Sequence, residues 1–143
     1  MPEQPASGAE KDFVIIVTCH LVAQRCGGYF CERALHHRED AFRDYPAQHP
    51  LRHTMVSCGG CCGRALQRKL THQAGLLQRK ESIGKERIVV HLSSCITRSN
   101  HHGPRCPHLD YLKELVARIN IDLREDTHLS RKSCERRDAG RYD

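Results

Sequence analysis

A chain of 143 residues can bury a hydrophobic core without covalent staples, so its nine cysteines, an odd number, do not read as a disulfide framework. The net charge of +6 is a mixture of both signs and only 5% of residues are aromatic, so the rings of a single-strand stacking platform are lacking and nucleic acid is not an expected partner. The longest apolar run, residues 13–17, is far too short to cross a bilayer, and no membrane association is expected.

The opening residues mix Glu3, Glu10, Lys11 and Asp12 with proline and glycine and carry no apolar leader. The expected compartment is therefore a reducing cytoplasm, where a cysteine-rich chain points to metal binding or redox chemistry. Residues 1–10 are expected to be disordered, 11–129 to form one domain, and 130–143 to be a polar, frayed tail.

Within the domain, Phe13-Val14-Ile15-Ile16-Val17 reads as a strand buried on both faces. Residues 31–45 place Ala34, Leu35, Ala41, Phe42 and Tyr45 on one face of a helix, which Pro46 and Pro50 end. Residues 53–57 read as a second strand. A helix is expected over 62–80, with Leu66, Leu70, Ala74 and Leu77 inward and Arg64, Arg68, Lys69 and Arg79 on the surface. Residues 87–92 form a third strand, and a helix is expected from Cys106-Pro107, since proline suits a first helical position. A fourth strand is expected within 119–123. The order β-α-β-α-β-α-β predicts a small α/β domain, a mostly parallel four-stranded sheet flanked by helices.

On that scaffold the reactive residues follow the strands. Cys19 follows the first, Cys58-Gly59-Gly60-Cys61 the second, Cys95 the third and His128 the fourth, while Cys106 and His108 open the last helix. Ligands of open parallel sheets bind at the carboxyl edge, where these residues converge. The two glycines let Cys58 and Cys61 face one metal ion, and the same pair serves equally as a redox dithiol. Cys95 and Cys106 would complete a four-thiolate site, with Cys19, His108 and His128 as further ligands or supporting residues. This spacing is not that of a zinc ribbon. His36, His37, His49, His53 and His72 read as solvated, His91 as a core residue, and His101 and His102 as loop residues within reach of the site. Cys58 to Arg64 also has the C-x5-R spacing of a phosphatase or arsenate-reductase loop, with Cys58 as nucleophile, but Ala65 stands where a hydroxyl residue is usual.

Together these residues resemble the CGGC domain family. The resemblance runs from about Phe13 to His128 through Cys19, the Cys58-Gly59-Gly60-Cys61 core, His91-Leu92-Ser93-Ser94-Cys95, Cys106-Pro107-His108 and Thr127-His128. It implies a metal-binding protein holding zinc through cysteines and histidines. Cys62 stands where the family commonly has proline. The reading is a metal-binding α/β domain with zinc, or else an iron–sulfur cluster, bound by Cys19, Cys58, Cys61, Cys95, Cys106, His108 and His128. The alternatives are a thiol oxidoreductase using Cys58 and Cys61, and oxyanion chemistry on the C-x5-R loop.

Overall fold

The computed structural model describes residues 10–99 and 103–141. The expected disordered segment, apart from Glu10, and the loop histidines His101 and His102 lie outside those residues. Strand β1 (Phe13–Thr18) is buried along its whole length, as its run of apolar side chains dictates. It pairs in parallel with β2 (Arg52–Ser57) on one side and β3 (Ile88–Leu92) on the other, and β3 pairs in parallel with β4 (Asp122–Glu125). The order β2-β1-β3-β4 is the expected α/β sheet, with all four strands running one way.

Alternate residues of β1 feed two cores. Phe13, Ile15 and Val17 pack with helices α3 (Ala65–Glu81) and α5 (Leu109–Arg118) through Leu66, Leu70, Leu112 and Leu115. Val14 and Ile16 pack on the opposite face with α2 (Tyr29–His37), through Ala34 and Leu35, and with Phe42 and Tyr45. Each fully buried side chain of this size contributes about 1.5–3 kcal/mol.

Several boundaries differ from the sequence expectation, each for a local reason. The helix foreseen over 31–45 stops at His37. Arg38 turns to φ 56, its N–H closes on the carbonyls of Ala34 and Leu35, and its guanidinium donates to the His49 carbonyl at 2.9 Å. Only a 3-10 turn, Asp40–Phe42, resumes the pattern. Helix α3 starts at Ala65 rather than Cys62 because Gly63 takes φ 92. Helix α5 starts at Leu109, so Cys106 and Pro107 precede it. Ile121 is buried in the core and β4 begins after it. Short helices α1 (His20–Ala23) and α4 (Ser94–Thr97) follow β1 and β3. The tail expected to fray carries helix α6 (Arg131–Asp138), whose start is held by the Ser133 N–H donating to Ser130 Oγ at 3.2 Å. Among the described residues no helix is long and apolar enough to cross a membrane.

His91 is the core residue the sequence led one to expect, 0% exposed in the middle of the sheet. Its Nδ1 lies 2.9 Å from the Asp126 carbonyl, which only accepts, so the proton sits on Nδ1. Nε2 therefore accepts the Tyr45 hydroxyl at 2.7 Å. Burial pushes the His91 pKa down from 6.5 to about 4. A depressed folded-state pKa gives stability that is complete above pH 6.5 and is lost as pH falls through 4, on the order of 3 kcal/mol in total. Asp12, whose carboxyl is held below its usual range mainly by Arg87, acts at lower pH still. Urea midpoints of the wild type should thus be flat at neutral pH and fall between pH 6.5 and 4. His91→Leu should be less stable at pH 7 by about 1–3 kcal/mol for each unpartnered group, Tyr45 hydroxyl and Asp126 carbonyl, and should lose that acid slope. An unchanged slope in His91→Leu would assign it to other groups.

Candidate metal centre

Parallel pairing carries the chain after every strand to the same edge. Two backbone bonds extend the ladders past the strands. The Cys58 N–H donates to the Thr18 carbonyl at 2.9 Å, and the Ser93 N–H donates to the Val17 carbonyl at 2.9 Å. They set Cys58 and the start of α4 on either side of the end of β1, where Cys19 stands. The Cys106 N–H then donates to the Ile96 carbonyl at 2.8 Å, which ties the approach to α5 onto α4.

The thiols are held by backbone N–H groups. Cys58 Sγ accepts from the His20 N–H at 3.4 Å, Cys95 Sγ from the Cys19 N–H at 3.5 Å, and Cys106 Sγ from the His108 N–H at 3.3 Å. Ser93 Oγ lies 2.8 Å from Cys95 Sγ. Burial pushes the thiols of Cys95 and Cys106 up from their ordinary value. Negative charge on Cys19, Cys58 and Cys61 raises Cys106 further, and charge on Cys31 and Cys19 raises Cys95. No helix dipole lowers the Cys106 pKa. The helix starts only at Leu109, and desolvation outweighs the one N–H from His108.

The structure therefore brings Cys19, Cys58 and Cys61 within electrostatic reach of Cys106, on the side of the sheet covered by α3 and α5. Cys58 is 7% exposed, whereas Cys61 stands in the open. Cys95 lies at the border, near Cys19 on one side and Cys31 on the other. His108 contributes its N–H to Cys106. His128 lies elsewhere, its Nδ1 3.5 Å from Asp40 Oδ2 and its ring stacked on Phe30 at 4.9 Å. Of the histidines expected to be solvated, His36, His37, His53 and His72 are exposed, but His49 is half-buried against Asp12 at 2.9 Å. Among the described residues, no three Cys, His, Asp or Glu side chains already surround a single point as a finished cage would. The donor chemistry fits a thiophilic ion, and closing the site calls for side-chain rotation, which exposed Cys61 is free to make.

The loop itself is shaped by its glycines. Gly59, Gly60 and Gly63 have φ of 85, 107 and 92, conformations that side chains resist. The Gly59 N–H donates to Ser57 Oγ at 3.2 Å and the Gly63 N–H to the Gly60 carbonyl at 2.6 Å. Two amides that an oxyanion cradle would aim inward are thus spent within the loop, and Arg64 is exposed.

Sequence reasoning missed the support beneath the loop. Lys69, read as a surface residue, reaches back so that its Nζ donates to the Ser57 carbonyl at 2.9 Å and to Ser57 Oγ at 3.1 Å. With Gly59 and Lys69 both donating to Ser57 Oγ, the Ser57 proton is left for His20 Nδ1, 3.1 Å away. A lysine one turn into the helix after a C-x-x-C was the available signal. Cys26 and Cys31 were also unplaced; they line a cavity on the opposite face of the sheet.

A profile of the CGGC domain matches residues 13–128. No curated protein and no solved structure matches the chain.

Because a Cβ on Gly63 would overlap Leu112 Cδ2 at a positive φ, Gly63→Ala should destabilise the protein by about 2–5 kcal/mol in chemical denaturation. Gly75→Ala, in α3 and meeting only the movable end of Arg79, should instead be neutral or gain up to about 1 kcal/mol. Equal effects at the two positions would contradict the assigned loop conformation.

Proposed function

The chain belongs to the CGGC domain family, and from that premise we propose that it is a metal-binding protein whose thiolates Cys19, Cys58, Cys61 and Cys106 hold zinc. One observation carries the reading. Cys19, Cys58 and Cys106, from three separate segments, pack against the one core beneath α3 and α5, and charge on Cys19, Cys58 or Cys61 opposes ionisation of Cys106. Thiolates gathered in this way repel one another, and a divalent cation converts that repulsion into binding. The donors are all sulfur, which favours a soft or borderline ion over calcium or magnesium.

Within this reading each residue has a part. Cys58 is fixed by the His20 N–H, Cys106 by the His108 N–H, and Cys61 closes from solvent. Lys69 and Ser57 brace the loop that carries Cys58 and Cys61. Cys95 and His128 stand outside this set of four. Zinc, when bound, supplies the positive charge that makes the thiols give up their protons. A reducing cytoplasm, where thiols stay available to metal, is the compartment that suits this reading.

A dithiol oxidoreductase fits less well. Cys58, the thiol a redox partner would have to reach, is buried.

Protein purified anaerobically should be colourless and hold one zinc per chain by elemental analysis. A brown protein would replace zinc with an iron–sulfur cluster on the same thiolates. Alkylation of Cys61 should be slow in the loaded protein and fast after chelation; equal rates, with a reversible Cys58–Cys61 disulfide, would favour the oxidoreductase. Cys106→Ser should weaken zinc binding by at least about 10–100-fold in chelator competition, and full retention would remove Cys106 from the site.

Zinc affinity should also rise with pH, by about one decade per unit for each thiol that must ionise. Burial holds Cys106 above its ordinary value of 9.0, so the rise should continue past pH 9 rather than level off at it. An affinity independent of pH between 6 and 9 would rule out displacement of thiol protons.

A further inference from the structure

An opening at the carboxyl edge lies on the face of the sheet away from α3 and α5. A cavity of about 300 Å³ lies on this α2 face, between the ends of β1 and β2 and the 94–95 and 127–128 segments. Its lining includes Cys26, Cys31, Cys95 and Met55, with Thr127 and His128 at one side. Among the described residues it has no lysine, arginine or carboxylate in its wall. Its one imidazole is occupied at the rim by Asp40 and Phe30.

Specific contacts tie the segment of Cys31 to that of Cys95. Cys31 Sγ lies 3.2 Å from Thr127 Oγ1. Thr127 is in turn locked to Ser94, its N–H donating to Ser94 Oγ at 3.0 Å and its Oγ1 accepting the Ser94 N–H at 3.4 Å. Cys95 is the next residue. Charge on Cys31 raises the Cys95 thiol, and charge on Cys26 raises that of Cys31. Met55 completes the wall because Gly28, at φ 79, has no Cβ; one there would overlap Met55 Sδ.

We propose that this cavity is a second metal site, separate from the CGGC thiols, in which Cys31 and Cys95 bind a soft monovalent ion of the Cu(I) class, with Cys26 and Met55 as further sulfur donors. The wall decides the class of ion. Calcium and magnesium need oxygen ligands of which this wall has no charged ones, whereas thiolate and thioether select Cu(I). A two-coordinate ion needs only the Cys31–Cys95 pair, and the Met55 thioether in the same wall adds a donor suited to Cu(I).

The step balances without an oxidant. Two thiols lose their protons to solvent, two sulfur–metal bonds form, and the metal keeps its oxidation state. Because two protons leave as the ion enters, binding tightens as pH rises. The proposal does not depend on zinc occupying the CGGC loop.

The test uses the full chain under anaerobic conditions, equilibrated with zinc and titrated with Cu(I) presented as its bathocuproine disulfonate complex. Loss of the complex's colour reads Cu(I) uptake, while released zinc is read separately. One Cu(I) per chain should transfer with no zinc released. Cys31→Ser and Cys95→Ser should each weaken transfer by more than about 100-fold, whereas Cys58→Ser should leave it unchanged. Met55→Leu, which preserves apolar volume, should weaken it by a smaller factor. Circular dichroism confirms that each variant is folded, and a misfolded serine variant leaves Met55→Leu and the Cys58→Ser comparison to decide. Unaltered transfer to the Cys31→Ser/Cys95→Ser double variant would overturn the proposal, as would Cu(I) uptake matched by zinc release or abolished by Cys58→Ser. Failure to bind zinc, with Cu(I) transfer intact and dependent on Cys31, would refute the zinc reading and leave this one standing.

Discussion

Parallel pairing of β1 with both neighbours is the constraint on which the site depends, because it sends the chain after every strand to one edge. β1 meets this role by being apolar on both faces, so its register against β2 and β3 is fixed by two cores at once. The two edges are then used differently. At the amino edge Lys11 pairs with Asp122, and Asp12 with Arg87 and His49, tying β1 to β4, β3 and the approach to β2. At the carboxyl edge ion pairs persist, Arg98 with Asp126 and Lys113 with Glu125, but sulfur joins them.

The same edge divides the sulfur between two faces. Cys19, Cys95 and Cys106 pack against the core beneath α3 and α5, and Cys31 against the core beneath α2. Cys95 sits where the two groups meet, since α4 begins directly above the end of β1. A sheet is one strand thick, so thiols on opposite faces remain near enough to influence each other's ionisation. This is how Cys31 and Cys19 both act on Cys95.

What was legible in the sequence followed from burial. The run Phe13-Val14-Ile15-Ile16-Val17 leaves no alternative to a central strand, and Leu66, Leu70, Ala74 and Leu77 fix the inward face of α3. The carboxyl-edge placement of Cys19, Cys58 and Cys95 followed once the strand order was parallel. What was not legible was decided by single backbone conformations and long side chains. Nothing in the apolar pattern of residues 31–45 announces that Arg38 will adopt φ 56. Gly63 displaces the start of α3 by a left-handed turn, and Lys69 folds back to Ser57 although its position on the helix reads as surface. The division of the thiols into two groups needed the positions of α1, α2 and α4. Two of these are helices of four residues, too short to leave a periodic signal.

The ionisation of the thiols separates the chemistries open to such an edge. A nucleophilic or redox cysteine works through its thiolate, which requires a lowered pKa. Cys31, Cys95 and Cys106 are shifted the other way by burial, so near neutral pH they are thiols and weak nucleophiles. A metal ion overcomes that penalty because it brings the compensating charge into the site as the protons leave. Burial that would impair a catalyst therefore makes the free protein resistant to adventitious oxidation and alkylation while leaving it able to bind metal. Exposed Cys61 and Cys62 depart from this pattern, and the openness of Cys61 gives an incoming ion a first thiol to meet before the buried donors close around it.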